Sequence, residues 1–81
     1  MYCVYFLKSQ LNNDLYIGSC EDLQKRLRRH NNGLVRSTKV YRPWKLVGHE
    51  EYNSRGEAVR RERFLKTGQQ KELLKRKFES E

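Results

Sequence analysis

The sequence predicts an α+β fold: a small antiparallel sheet of about three strands flanked by three helices. Three observations predict it. Residues 2–8 form a β-branched and aromatic run with period-two alternation, and a second strand-like pattern spans Trp44 to Tyr52. Between them, Leu23, Arg26, Leu27 and His30 recur at helical spacing. Turn and capping residues punctuate the chain at Asn12-Asn13-Asp14, Asn32-Gly33 and Ser54-Arg55-Gly56-Glu57.

The elements follow in order. In the first strand, alternation places Tyr2, Val4 and Phe6 on one side and Cys3, Tyr5 and Leu7 on the other. The Asn-Asn-Asp turn returns the chain as a second, antiparallel strand, Leu15-Tyr16-Ile17-Gly18. Gly18 is expected to bend the backbone into a helix over 20–31, with Ser19 as its cap and Glu21 and Asp22 against its dipole. Asn32-Gly33 should stop that helix, since both residues tolerate the left-handed conformation. Residues 34–43 lack either period and read as a surface loop with phosphate-binding groups. Trp44, Leu46 and Gly48 then share one face of the third strand. Ser54 opens a second helix on which Ala58, Glu62 and Leu65 share a face. A third helix, capped near Thr67, offers Leu73, Leu74 and Phe78 as an apolar edge.

Eighty-one residues suit one domain over 1–81, with no linker, repeat or low-complexity segment. No long apolar run or signal-peptide pattern occurs, so a soluble, cytoplasmic protein is expected. Cys3 and Cys20 read as free thiols ahead of a disulfide, which the context does not support, and the spacing of the two Cys and two His argues against an ordinary zinc site. The net charge of +8 is unevenly spread: residues 21–45 hold eight Lys/Arg against two acids, whereas residues 46–81 hold nine against seven. The middle segment therefore carries a positive field that suits a polyanion, nucleic acid before a membrane surface. Its helix has only a narrow leucine stripe and no aromatic insertion face, which argues against membrane binding.

Arg26 and His30 interleaved with Leu23 and Leu27 are the first functional signal. A charge that faces a core needs a partner or a task. With Cys3-Val4-Tyr5, Tyr16-Ile17-Gly18, Arg26, His30-Asn31 and Glu62 in this order, the chain resembles the GIY-YIG nuclease domain, closest to its small stand-alone members. Ser37-Thr38-Lys39, Arg42-Pro43-Trp44-Lys45 and Glu62-Arg63-Phe64-Leu65-Lys66 add to the likeness, which covers nearly the whole chain. The resemblance implies a metal-dependent endonuclease that hydrolyses nucleic acid with an attacking water, of the kind used in DNA repair. By position it makes Tyr5 and Tyr16 the paired tyrosines, Arg26 the phosphate-binding arginine, His30 a proton-handling neighbour and Glu62 the metal ligand. Two departures stand out. Cys3 replaces the first glycine of the family name. Ser19 replaces a lysine that the excision-repair incision subunits carry, which leaves open the group that activates the water.

The chemistry has its own logic. Arg26 offers a planar fork matched to two phosphate oxygens. A single carboxylate, Glu62, suits Mg²⁺ or Mn²⁺ when waters and substrate phosphate complete the shell. A phenol is only about 0.1% ionised at pH 7, a deficit of roughly 4 kcal/mol. Tyr5 is the expected general base, with His30 taking its proton and Tyr16 orienting water or phosphate; the two phenols could exchange roles. Lys25 and Arg29 on the helix, with Arg36, Lys39 and Arg42 in the loop, form the expected nucleic-acid footprint, DNA ahead of RNA.

Each residue has a duller alternative. Both tyrosines could be strand aromatics with satisfied hydroxyls, and Arg26 part of a solvated basic face. His30 could cap its own helix, and Glu62 could pair with Arg26 or Lys66. The competing function is a non-catalytic nucleic-acid-binding module on the same scaffold. A third reading is a domain that acts only when docked on a protein partner.

Overall fold

The computed structural model describes residues 1–81. Strand β1 (Tyr2–Ser9) lies at the centre of a three-stranded sheet, between β2 (Leu15–Cys20) and β3 (Trp44–Tyr52), and pairs antiparallel with both. The alternation of β1 is realised on two covered faces. Val4 and Phe6 pack with Leu15, Ile17, Ala58, Leu65 and Phe78, beneath α2 (Arg55–Leu65) and α3 (Gly68–Lys77). Tyr5 and Leu7 pack with Trp44, and with Tyr16, Leu23 and Leu27, on the face covered by α1 (Leu23–Asn31). Because β3 occupies the other flank of β1, β2 keeps one edge unpaired, and the fold's polar chemistry collects along that edge.

Several local expectations are corrected. The second strand continues through Ser19 and Cys20, and α1 begins at Leu23 with Asp22 as its cap, accepting from the Lys25 N–H. Ser19 is therefore a strand residue. Gly18 is not a turn but the strand partner of Tyr5, and a Cβ there would meet Tyr5 Oη at 2.5 Å. Its lack of a side chain makes room for the Tyr5 ring. A register shift between Phe6 and Leu7 in the β1–β3 ladder reassigns Gly48. Trp44 and Leu46 lie on the α1 face as expected, whereas Gly48 faces Phe6 and Phe78 on the opposite one. Leu73 is exposed, leaving Leu74 and Phe78 to hold α3. The stop at Asn32-Gly33 is as expected, with Gly33 at φ +76°.

Two polar anchors fix the frame. Asn31 grips the backbone of Trp44 twice, its Oδ1 accepting from Trp44 N–H and its Nδ2 donating to Trp44 C=O, which ties the end of α1 to the start of β3. The buried ammonium of Lys8 donates to the carbonyls of Phe78, Glu79 and Glu81, closing the C-terminal turn of α3 over the sheet.

Candidate active site

On the α1 face, Tyr5, Tyr16 and His30 form one cluster. Tyr5 Oη lies 2.9 Å from His30 Nε2, and His30 Nδ1 lies 2.8 Å from Thr38 Oγ1. The Tyr16 and His30 rings meet edge-on with centroids 4.9 Å apart, and the two phenol rings stack at 6.2 Å. His30 is fully buried, so it does not cap the carbonyls of its own helix. Burial, with Arg26 and Arg29 nearby, lowers its pKa to about 4, so the ring is a neutral imidazole at physiological pH. Burial pushes the Tyr5 phenol far above its ordinary range; Tyr16, Cys20 and Glu62 add to the shift and Arg26 opposes it. These directions weigh against the expected passage of a proton from Tyr5 to His30, which would create two disfavoured ions at once.

Arg26 projects from the middle of α1 and is half-buried. Its guanidinium makes no hydrogen bond and no ion pair within the protein. It lies at the junction of two concave surfaces. One, with Cys20, Glu21, Asp22, Lys25 and Arg29, runs along the helix. The other passes Ser19 and Cys20 at the end of β2 to reach Arg55, Ala58 and Val59 of α2.

Glu62 comes from α2, the helix on the opposite face, and its carboxylate turns toward the free edge of β2. Oε1 accepts from the Ser19 hydroxyl, and Oε2 pairs with Lys66 Nζ at 2.7 Å. The pairing with Lys66 anticipated as the duller alternative is thus present. The site is accordingly not one enclosed pocket. It wraps the edge strand, with Tyr5, His30, Tyr16 and Arg26 on one side and Glu62 reaching round from the other, close enough for its charge to bear on Tyr5. Lys66 completes the link: its ammonium lies 6.0 Å from the centre of the Tyr16 ring. A cleft of about 310 Å³ joins Tyr16, Thr38, Tyr41 and Trp44 to Lys66 and Lys71.

No group of three or more His, Cys, Asp or Glu side chains converges anywhere in the fold. The donors beside Glu62 nonetheless suit a hard divalent ion. They are one carboxylate and one hydroxyl, both oxygen, and the Lys66 side chain that pairs with the second carboxylate oxygen is about half exposed. Lys25, Arg29, Arg36, Lys39 and Arg42 are all exposed, and the Arg42 Nε donates to the Lys39 carbonyl.

Sequence reasoning missed three contributions: Thr38 as a partner of His30, Ser19 as a partner of Glu62, and Lys71 on the cleft beside Tyr16. The first two carried no periodic signal. Lys71 was hidden by averaging over a mixed-charge segment. Cys3 and Cys20 are cross-strand partners with their sulfurs 3.6 Å apart as free thiols; burial and the bond to Cys3 push the Cys20 thiol up to about 12, far from a reactive thiolate.

A three-stranded sheet presenting paired tyrosines and an arginine beside a helix-borne glutamate is a nuclease-type fold, and the GIY-YIG catalytic domain matches residues 1–77. The chain belongs to the GIY-YIG family. It is 37% identical over 73 residues to the UPF0213 protein of Staphylococcus saprophyticus, covering 89% of this chain and 88% of the relative. A UPF0213 protein of Staphylococcus epidermidis is 38% identical with the same coverage, and one of Staphylococcus aureus 40% over 65 residues, 79% of this chain and 78% of its own. GIY-YIG nucleases in general act on nucleic acids and commonly use divalent metals. No helix here is long and apolar enough to cross a membrane.

Proposed function

We propose that this chain is a metal-dependent phosphodiesterase that hydrolyses nucleic acid, DNA ahead of RNA, at the free edge of β2. The observation that carries the reading is the unpaired, half-buried guanidinium of Arg26. It sits beside a cluster of two phenols and a neutral imidazole, while the carboxylate of Glu62 reaches the same strand edge from the opposite face. A cation left without a counter-charge in such a place suits an anion, and its fork geometry suits the phosphate group.

Glu62, with the Ser19 hydroxyl alongside, would hold Mg²⁺ or Mn²⁺, which neutralises charge gathering on the phosphate in the transition state. Arg26 orients the phosphate through its two parallel N–H donors. The phenols divide the remaining work. Tyr5, kept protonated by burial and held by His30, donates its hydroxyl to a phosphate oxygen. Tyr16 has no hydrogen-bond partner in the protein and lies on the open cleft, so it takes the base role that its partner's environment denies to Tyr5. Its phenolate accepts a proton from water as the oxygen attacks phosphorus and the bond to the leaving oxygen breaks. The ammonium of Lys66 lies 6.0 Å from the centre of its ring, on the same cleft. Lys25, Arg29, Arg36, Lys39 and Arg42 contact flanking phosphates, which gives binding with little sequence preference.

The test is cleavage of labelled single-stranded, duplex and branched DNA, and of RNA, with Mg²⁺ or Mn²⁺. The proposal expects products that disappear with EDTA and fall at least about a hundredfold in Glu62→Ala and Arg26→Ala. Salt-sensitive binding without cleavage under any divalent ion would identify a non-catalytic binding module instead. Cleavage appearing only with a co-purifying subunit would place the activity in a complex with a protein partner.

A further inference from the structure

Thr38 belongs to the loop between α1 and β3, and its side chain is only 1% exposed. Its hydroxyl can meet His30 in two ways: it donates to Nδ1, or it accepts an Nδ1–H and gives its own proton to the Val35 carbonyl. His30 Nδ1 is at 2.8 Å, and the Val35 carbonyl is at 3.4 Å. That carbonyl already accepts the backbone N–H groups of Thr38 at 3.1 Å and Lys39 at 3.0 Å, which use both its lone pairs. A 3.4 Å contact to an acceptor already taken is the weaker choice by a wide margin. The Thr38 proton therefore goes to Nδ1.

The rest follows from the inventory of a neutral imidazole, which carries one N–H. With Nδ1 accepting, Nε2 bears the proton and donates to Tyr5 Oη across the 2.9 Å contact. We infer that Thr38 is a positioning residue that fixes His30 as the Nε2–H tautomer, so that His30 donates to Tyr5 and the phenol proton is turned away from the imidazole, toward the substrate. Its bearing on catalysis rests on the proposed nuclease reading; the tautomer itself does not. The loop position is held independently of the site, since Trp44 Nε1 donates to the Thr38 carbonyl and Asn31 grips the Trp44 backbone. Thr38 thus couples the loop to the cluster through a side-chain hydrogen bond. His30 stays neutral across the working range, its ring buried with only the cations Arg26 and Arg29 near enough to act on it, which is why a single proton need be placed.

The assignment is tested by long-range ¹H–¹⁵N correlation of the histidine rings in the isotope-labelled whole chain at pH 7, with His49→Gln used to assign the two imidazoles. The expected spectrum shows His30 protonated at Nε2 and bare at Nδ1. Thr38→Val should release the tautomer toward Nδ1–H, and Thr38→Ser should restore the parent pattern. Cleavage should fall about tenfold in Thr38→Val and recover in Thr38→Ser. In a Tyr5→Phe background, Thr38→Val should add nothing, because the proton it orients is gone. A parent protein with His30 protonated at Nδ1, or a Thr38→Val protein whose His30 pattern is unchanged, overturns the proposal. The Nε2–H tautomer in a protein that cleaves nothing would retain the Thr38 assignment and remove the nuclease reading.

Discussion

Replacing Gly18 with alanine separates two views of that glycine. As a plain strand position, Gly18→Ala should stabilise, since glycine in a strand costs roughly 0.5–1 kcal/mol relative to alanine. The structure predicts the opposite sign. The added Cβ would lie 2.5 Å from Tyr5 Oη and 2.6 Å from Tyr5 Cζ, about 1 Å inside ordinary contact. The Tyr5 side chain is 2% exposed and cannot yield into solvent, so the ring must shift within a filled interior. Overpacking of this kind costs about 1–3 kcal/mol. A shift of that size also misaligns the 2.9 Å bond to His30 and leaves a buried polar pair unsatisfied, another 1–3 kcal/mol or so. After the gain in strand propensity, the net loss is about 1–5 kcal/mol, a large share of the 5–15 or so typical of a domain. Urea unfolding followed by Trp44 fluorescence measures it, and a Tyr5→Leu background, where the space exists, should recover at least about 1 kcal/mol of coupling. Gly18→Ala that is neutral or stabilising, with the His30 ring spectrum unchanged, would refute the argument.

Acid should weaken the fold. His30 has a folded-state pKa near 4 against an ordinary 6.5, so the unfolded chain binds the extra proton first, and stability is lost as pH falls from about 6.5 through 4. The loss is about 3 kcal/mol, checked by urea midpoints at pH 7 and pH 4; a flat profile, or one unaltered by His30→Gln, would contradict it. Lys8→Met removes the ammonium that serves three C-terminal carbonyls, and should cost about 1–3 kcal/mol with faster hydrogen exchange at Phe78 and Glu79. Unchanged exchange there would show that the anchor is dispensable. If the cleft beside Tyr16 carries substrate, Lys66→Ala with Lys71→Ala should lower the salt dependence of DNA binding by about two ions, as should Arg36→Ala with Lys39→Ala on the loop side. An unchanged slope for either pair would remove that side from the footprint.

Much of this architecture was legible because it is periodic. Alternation in residues 2–8 gave both faces of β1 correctly, and the helical spacing of Leu23, Arg26, Leu27 and His30 put a cation and an imidazole against the sheet. What escaped was set by neighbours distant in sequence. Gly18 looked like a bend because a glycine required by close approach of Tyr5 and one required by a turn are the same letter. Ser19 looked like a cap because its true partner, Glu62, is forty-three positions away. One register shift in the β1–β3 ladder sent Gly48 to the far face, which no alternation pattern anticipates. The candidate site residues were named, but their arrangement around an edge strand, rather than in a single pocket, depends on strand order. That order is tertiary information. Thr38 and Lys8 look like ordinary polar residues until burial shows what they hold.

In the proposed function, groups from two faces of the sheet meet at the β2 edge to bind one phosphate and one divalent ion. Paramagnetic line broadening by Mn²⁺, titrated with a short oligonucleotide into the ¹⁵N-labelled chain, tests it most directly. Broadening should centre on Ser19 and Glu62, extend to Tyr16 and Arg26 and be abolished by Glu62→Ala, with the far side around His49 and Glu51 left sharp. Broadening spread evenly over the basic surface, and unaffected by Glu62→Ala, would contradict it.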